Sequence, residues 1–383
     1  LCPPLEVSGN PVTCYPVANY PLSVKVAWEP RQEGEGDPSP ENVRPITGLD
    51  EVWAKTRGRN LVDLQPVMIN TGEQIVLDFG KDRTFDAITV SFYCMNLNVG
   101  EIAGAILDFR RADGSHNYRT WPNMRLNGNQ IVAGANPDGL ATLTLRNAAF
   151  RQLVVFWNRI SYSELGDATE LSELMVEFGS AATAYEPYTG TTATLALPET
   201  IYGGTVDAVT GVGRKEWRYI ELSGVETISL GNVDASDAVQ QFNIYNGSFL
   251  AQSNHTCFCN VLPADQEATG GLAIGIWAHS GATIVLGFPR AELTDYGFVA
   301  GNTETYVAAF KGYLAAQAAA GTPVTIAYKL ATPTAFQATG NASIPALPGT
   351  NTIYTDADSV TVTGRADPVQ TINALNDRIA ALE

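Results

Sequence analysis

The segment SHNYRTWPNMR (residues 115 to 125) concentrates side chains of the kinds that proteins use to bind sugars. Aromatic rings stack on the C–H faces of sugars, while amide and guanidinium groups hydrogen-bond to sugar hydroxyls. The candidate glycan-binding residues of this loop-like segment are His116, Asn117, Tyr118, Arg119 and Trp121. The alternative interpretation is that the two aromatic residues cover an edge of a β-sandwich.

A second group of residues, in the sequence NHTCFCN, could bind a metal ion. On a strand, His255, Cys257 and Cys259 would all point to one face, and imidazole and thiolate are zinc ligands. A tetrahedral zinc site needs a fourth ligand. We therefore favour the interpretation in which both cysteines are small buried hydrophobic residues and His255 ends the strand, and we expect no metal.

The segment SELGDATELSELMVE (163 to 177) offers carboxylates that could bind calcium. They belong to Glu164, Asp167, Glu170 and Glu173. Calcium prefers oxygen-rich loops, but the ligand spacing of an EF-hand is absent. The segment is better interpreted as a solvated acidic surface.

The sequence contains none of the familiar catalytic motifs, such as G-x-S-x-G, H-E-x-x-H, the P-loop or the dinucleotide-binding fingerprint. A histidine-based site could draw on only three histidines, His116, His255 and His279. A pair among the 40 acidic residues could converge in the fold without leaving a trace in the sequence. We expect a protein that is not an enzyme and that has no cofactor.

Composition limits the class of protein and its partners. The chain has 383 residues, of which 45% are hydrophobic, so it can form two or three domains with proper cores. Its 40 Asp and Glu against 23 Lys and Arg give a net charge of -17, which argues against nucleic acid as a partner. The sequence has neither an apolar run long enough to span a membrane nor a signal peptide, so we expect no membrane partner.

The five cysteines are an odd number and lack the spacing of a disulfide framework. We expect free thiols. A bridge between Cys2 and Cys14 stays open as an alternative, because sequence does not supply the required geometry.

Short Val, Ile, Leu and Tyr runs separated by turns predict an all-β fold with tandem β-sandwiches. Residues 58–190 form the first predicted sandwich, in which Ile88, Val90, Phe92 and Cys94 would share one face. Residues 216–333 form the second. It contains a predicted helix at 303–320, with capping residues at its start and Gly321 and Pro323 after its end.

The sandwiches are flanked by segments rich in proline and glycine. Residues 1–57 combine a β element with an extended connector at 31–48. Related sequences at 184–211 and 327–364 share Ala-Leu-Pro, Ile-Tyr and Asp-x-Val-Thr, and mark two further connectors at 191–215 and 334–366. Within the first of these, Ala193, Leu195 and Leu197 alternate like an edge strand, whose partner we expect in another chain.

The C-terminal segment 367–383 changes from a strand pattern to a helical one. Its apolar residues recur at intervals of three, four and three, which is the a/d seam of a coiled coil: Ile372, Leu375, Ile379 and Leu382. Two heptads are marginal in isolation, so the seam needs partner chains or a continuation. Ile at a with Leu at d favours two strands.

The run GNPVTCYPVANYPLSVKVAWEPRQEGEGDPSPENVRPITG (9 to 48), followed by GRNLVD (58 to 63), resembles the opening of tail structural proteins from phages and prophages of Gram-positive gut bacteria. Those chains carry a Q-x-G-x-G-D-P-S-P-x-N-V-R-P-I-x-G connector and then a G-x-N-L segment. The later ATAYEPYTG, LPETIYGGTVDAVTG and FKGYLAAQAAAGTPVTIAYKLATP segments resemble the same family. The resemblance implies jelly rolls like those of carbohydrate-binding modules, a homotrimer, and a place in the virion after synthesis in the bacterial cytoplasm.

Together these expectations indicate a tail-fibre or baseplate subunit. Such a subunit would bind other tail proteins and attach to host-surface glycans through many weak sites. One alternative is a purely structural spacer between the baseplate and a separate receptor-binding tip. A glycan depolymerase is another, and a secreted bacterial adhesin is disfavoured because no signal peptide is visible.

Overall fold

The structure is a computed structural model. It describes residues 2–62, 67–70, 74–95, 103–120, 125–127, 130–132, 140–159, 168–233, 238–245, 257–264, 274–279 and 283–380. Most of these residues lie in strands of antiparallel sheets, which confirms the predicted all-β, sandwich-type fold. In the part of the chain that is described, no helix is both long and apolar enough to span a membrane.

The strands are numbered along the chain. They are β1 (Pro4–Gly9), β2 (Val12–Cys14), β3 (Ser23–Trp28), β4 (Arg31–Gln32), β5 (Ile46–Thr47), β6 (Leu49–Arg57), β7 (Val67–Asn70), β8 (Gln74–Met95), β9 (Ala103–Arg110), β10 (His116–Thr120), β11 (Arg125–Asn127), β12 (Gln130–Val132), β13 (Leu140–Arg159), β14 (Ala168–Phe178), β15 (Gly190–Ile201), β16 (Gly204–Asp207), β17 (Val212–Leu222), β18 (Ile228–Leu230), β19 (Val239–Tyr245), β20 (Cys257–Cys259), β21 (Gly275–His279), β22 (Thr283–Pro289), β23 (Val324–Gln337), β24 (Asn351–Thr355) and β25 (Ser359–Arg365). The α-helices are α1 (Tyr306–Ala319) and α2 (Pro368–Ala380), and 3-10 helices span Arg290–Tyr296 and Thr303–Thr305.

The chain forms two compact units, and each is built from separated segments. The first unit comprises Leu1–Val26, Trp53–Thr194 and Asn341–Glu383, and the second comprises Ala27–Val52 and Leu195–Gly340. Each predicted sandwich therefore shares its unit with residues from the N-terminal region and from a predicted connector.

The main sheet of the first unit has the order β10-β9-β13-β8-β14-β7. Its two long central strands, β8 and β13, pair with each other on both sides of one irregularity. Gln152 of β13 lies opposite Asp78 of β8, while Phe150 lies opposite Arg83. Residues 79–82 are thus inserted opposite one residue of β13, which makes a corner in β8. Gly80 has a φ of +85° at this corner, a conformation that glycine adopts without strain. The runs EQIVLDFG and FDAITVSFYCM are consequently one bent strand.

The core of the first unit lies under this bent sheet. The predicted face of β8 is confirmed at Ile88, Val90 and Phe92, all of which are buried. The core also contains Tyr354 of β24, whose ring centroid is 5.8 Å from that of Phe79. A residue assigned to a connector thus completes the core of the first sandwich.

The segments 191–215 and 334–366, predicted as β connectors, are incorporated into the sheets. Both segments form strands, β15 to β17 and β23 to β25, that lie within the sheets. β25 pairs with β1, and β24 pairs with β2 and β6, all within one chain. The alternating residues of β15 also have a partner in their own chain, because β15 is next to β6 in its sheet. These segments bury their apolar residues as ordinary strands do.

The second unit has the architecture of two sheets with a helix. One sheet contains β16, β17, β23 and β20 in that order, and the other has the order β18-β19-β22-β21. Helix α1, with the 3-10 turn before it, confirms the predicted helix at 303–320. Phe310 of α1 stacks on Phe242 of β19 with ring centroids 4.1 Å apart, and Leu314 is buried beside it in the same core.

Asn60, in the G-x-N-L segment, is a fully buried polar residue that joins three parts of the first unit. Its amide nitrogen donates to the carbonyl oxygens of Leu174 (3.0 Å) and Glu186 (3.2 Å). Its amide oxygen accepts from the backbone N–H groups of Val62 (3.1 Å) and Val176 (3.3 Å). The side chain therefore uses both donors and both acceptor sites without water.

We expect Asn60→Ala to lower the free energy of unfolding by about 3 kcal/mol, because buried backbone groups would lose their partners. Urea titration followed by circular dichroism measures this change. Asn373→Ala, at an exposed helical position, is the matched control and should shift the midpoint very little. An Asn60 variant as stable as the control would show that these hydrogen bonds contribute nothing.

Candidate functional site

The structure assigns backbone positions to most of the predicted glycan-binding residues. His116, Asn117, Tyr118 and Arg119 lie in β10, an edge strand that pairs with β9, so interpreting them as loop residues is wrong. Trp121 lies outside the described residues, as do the side chains of the other four. The assignment of these residues to glycan binding remains a prediction.

The cysteine-rich cluster is part of a hydrophobic core. Cys257 and Cys259 lie in β20 with fully buried side chains, packed against the core of the second unit. His255 lies outside the described residues. Among those that are described, no three His, Cys, Asp or Glu side chains come together as metal ligands.

The acidic segment 163–177 is only partly described. Residues from Ala168 onward form β14 rather than a loop, with Leu174 buried and Glu173 exposed. Glu164 and Asp167 lie outside the described residues, and so does the side chain of Glu170. The exposure of Glu173 agrees with a solvated acidic surface at that position.

Helix α2 begins at a well-defined position. Asp367 caps its first turn, because its Oδ1 accepts from the backbone N–H groups of Val369 (2.9 Å) and Gln370 (3.2 Å). A carboxylate at this position satisfies N–H groups that have no partner within the helix and interacts favourably with the helix dipole.

The start of α2 is also bonded to the N-terminal segment. Backbone N–H groups of Ala366 and Asp367 donate to the carbonyl oxygens of Pro3 (2.9 Å) and Tyr15 (2.8 Å). The two residues that precede the helix are therefore hydrogen-bonded to the N-terminal segment of the first unit.

The apolar side chains at the start of α2 face solvent. Val369, Ile372 and Leu375 are 63%, 57% and 49% exposed. Ile379 lies in the helix, but its side chain, like all of Leu382, is outside the described residues. Two of the four predicted oligomerisation residues are thus exposed apolar residues on one anchored helix.

These seam residues line a groove in the first unit with a volume of roughly 1260 Å³. Thr371, Ile372 and Leu375 lie along the helix side. The remaining lining includes β1, β2 and parts of β8 and β14, with Leu5, Val7, Phe85 and Phe178 as its larger apolar members. The groove also has polar lining residues, among them Glu6, Asp86 and Arg146, so the exposed apolar side chains of α2 lie beside a mixed surface.

The connector at 31–48 is a compact loop held by one guanidinium group. Arg44 donates from its three nitrogens to the carbonyl oxygens of Glu33, Gly34 and Gly36. Asn42 donates to the carbonyl oxygens of Glu35 (3.2 Å) and Asp37 (2.9 Å). The residues that carry the family resemblance here thus have structural roles.

A partly exposed aromatic cluster lies on one face of the first sheet of the second unit. Trp217, Tyr219 and Glu221 share this face of β17: Trp217 is buried, Tyr219 is half-buried and Glu221 is exposed. Tyr202 stacks on Tyr219 with ring centroids 4.0 Å apart and an interplanar angle of 1°. We call Tyr202, Tyr219 and the adjacent Asp50, Glu221 and Thr325 the tyrosine cluster.

The environment of the tyrosine cluster disfavours ionisation of its phenols. Partial burial, the hydroxyl of Tyr219 and the carboxylates of Glu221 and Asp50 raise the pKa of Tyr202 to about 12. Burial also raises the pKa of Tyr219, which hydrogen-bonds to Thr325. Both phenols are therefore neutral hydrogen-bonding groups near neutral pH.

Sequence reasoning missed this cluster because its members come from four separate segments. Asp50 lies in β6, Tyr202 follows β15, Tyr219 and Glu221 lie in β17, and Thr325 lies in β23. The alternation of Trp217, Tyr219 and Glu221 was the available signal, since it places two aromatic side chains and a carboxylate on one face of the strand.

Comparison with protein-family models found no match to this sequence. Searches of curated proteins and of solved structures likewise found no significant match.

The structure yields a thiol-reactivity prediction for the cysteines. Cys2 is exposed while Cys14 is buried, and the two do not form a disulfide. Burial raises the pKa of Cys14 and of Cys259 to about 12, so almost no reactive thiolate forms there at pH 8. We expect Cys2→Ser to remove one rapidly reacting thiol in a titration of the native protein with a chromogenic disulfide reagent.

The control is Cys14→Ser, which should leave the rapid phase unchanged and remove a thiol only after unfolding in guanidinium chloride. Loss of the rapid phase in this variant would contradict the buried position of Cys14.

Proposed function

We propose that this chain is a structural subunit of a phage tail, in a fibre or baseplate, which self-associates through α2 and attaches to host-surface glycans. Its β-rich units would each present weak sugar sites. Association of three chains would then raise the apparent affinity through the high effective concentration of the linked sites. Other tail proteins and a host glycan are the partners that this proposal implies.

The observation that carries the proposal is the exposed seam on an anchored helix. Ile372 and Leu375 are apolar, lie three positions apart, and are more than 45% exposed in a single chain. Exposed apolar residues scattered singly are ordinary, but here they lie together beside a groove on the same unit, which Leu5, Val7 and Phe178 also line. Contact with other copies of the chain would remove this surface from water.

The family resemblance and the net charge also support the proposal. The resemblance rests on segments whose roles are structural, such as the Arg44 loop and Asn60. A net charge of -17 is compatible with neutral sugars as ligands and disfavours the phosphate backbone of nucleic acids.

The first test concerns self-association. We expect light scattering of the full chain to give three chain masses, and Ile372→Asn with Leu375→Asn to give one chain mass at micromolar concentration. The substitutions place polar side chains in the seam and remove the apolar surface that association buries. Far-UV circular dichroism should show an unchanged β fold.

The matched control carries Gln370→Ala and Asn373→Ala, two exposed polar positions of the same helix. These substitutions raise helix propensity without touching the seam, so the control should remain associated. A monomeric wild-type chain would contradict self-association through α2.

The second test concerns attachment. We expect the wild-type chain to bind a surface coated with neutral oligosaccharides, and the monomeric seam variant to bind at least about 100-fold more weakly because it loses avidity. Surface plasmon resonance at low and high glycan density measures this difference. An associated chain that binds no glycan at either density would favour the spacer alternative.

A further inference from the structure

We propose that the tyrosine cluster of the second unit is a carbohydrate-contact site that takes a neutral saccharide. This inference rests on the proposed attachment function and assigns it to particular residues. The cluster lies in the second unit and includes residues of β17, whereas residues 116–120 form β10 of the first unit.

The cluster lies on the face of the sheet opposite the main core of the second unit, where both tyrosines pack beside the small buried cluster of Ile46, Trp217 and Ala327. Leu222 of β17 and Ile326 of β23 belong to the hydrophobic core of the second unit. Tyr219 lies opposite Ala327, and Glu221 lies opposite Thr325, so these residues occupy the other face. Both tyrosines are half-buried, while the Asp50 and Glu221 side chains are exposed.

The position of Tyr202 is fixed by its neighbours in the backbone. The indole N–H of Trp28 donates to the carbonyl oxygen of Ile201 at 2.9 Å. Gly203, which follows Tyr202, lies against the Trp217 ring. A Cβ added to this glycine would be 2.3 Å from Cδ1 of Trp217. A side chain at this position would displace the backbone, so glycine is required for the close approach. The ring is thus placed before any ligand arrives.

The chemistry of the cluster matches a polyhydroxylated and uncharged ligand. The aromatic rings offer stacking surface and edges, while the two phenol hydroxyls can donate or accept. The exposed carboxylate of Glu221 accepts hydrogen bonds from hydroxyls. Asp50 already accepts from the hydroxyl of Thr200 at 2.5 Å, which fixes its orientation and leaves acceptor capacity for a ligand.

The charges around the cluster disfavour an anionic ligand. Asp50 and Glu221 are both close enough to Tyr202 to affect its ionisation. A nearby basic residue on the same face, Lys329, lies 3.8 Å from the carboxylate of Glu29, and its ammonium group is 5.8 Å from the centroid of the Trp217 ring. Phosphate- or carboxylate-bearing sugars would therefore meet net repulsion at this surface.

The test compares tyrosine variants with an exposed tyrosine elsewhere in the second unit. Tyr202→Phe and Tyr219→Phe remove one hydroxyl each and keep the ring, while Tyr219→Ala removes the ring. The matched control is Tyr245→Ala, at a tyrosine that is 48% exposed. Far-UV circular dichroism and a thermal melt report whether each variant of the full chain folds.

Binding is measured on arrays of neutral and of anionic oligosaccharides, and by quenching of tryptophan fluorescence with the best neutral oligosaccharide. We expect Tyr219→Ala to lower the affinity at least tenfold and the two Phe variants to lower it less, with the control unchanged. If Tyr219→Ala does not fold, the affinities of the two Phe variants, which keep the ring, test the assignment instead.

Folded variants that bind as tightly as the wild type would overturn this assignment while leaving glycan attachment intact. A wild-type chain that binds only anionic sugars would also overturn it. A wild-type chain that binds no sugar would overturn both the site and the attachment function.

Discussion

The first unit depends on pairing between the strands that begin the chain and those near its end. β1 lies antiparallel to β25, from Pro4 opposite Arg365 to Gly9 opposite Val360. The amide nitrogen of Asn10 donates to the carbonyl oxygens of Thr355 and Ala357, both at 3.0 Å. Closing so long a loop costs conformational entropy, but that cost grows only slowly with loop length. The pairing then places β24 over the first core and fixes the residue at which α2 begins.

The two related sequences at 184–211 and 327–364 show how one local pattern can serve two purposes. Each contains Ile followed by Tyr, but Tyr354 is buried in the first core while Tyr202 is half-buried on an outer sheet face. The residues that follow account for part of this difference. Gly203 permits close contact with Trp217, whereas Asp356 accepts a hydrogen bond from the backbone N–H of Trp53 at 3.0 Å. The two Ile-Tyr pairs thus lie in different environments, and the residues shortly after them make different contacts.

Sequence patterns predicted those features of the fold that depend on residues close together in the chain. Alternation identified the buried face of β8, and capping residues identified the helix at 303–320, because both signals lie within a few residues. The pairing of the predicted connectors with N-terminal strands was not predictable, because edge strands of similar composition can pair with many partners. The roles of Asn60 and Arg44 were also hidden, since each binds backbone carbonyl groups that composition does not reveal. The tyrosine cluster depends on four separate segments and was missed for the same reason.

The anchoring of α2 affects how much free energy self-association can release. A helix of 13 residues is marginal in water, because forming its first turn is unfavourable. Here the Asp367 cap and the bonds to Pro3 and Tyr15 hold the first turn in place within a single chain. Burial of the seam therefore does not have to offset the cost of starting the helix. Copies that each carry a net charge of -17 repel one another, but salt screens this repulsion over about 10 Å at 0.1 M. Salt therefore weakens the repulsion between charges farther apart than this, while contact between apolar seams is not weakened by salt, and the anchored helix begins association with its first turn already formed.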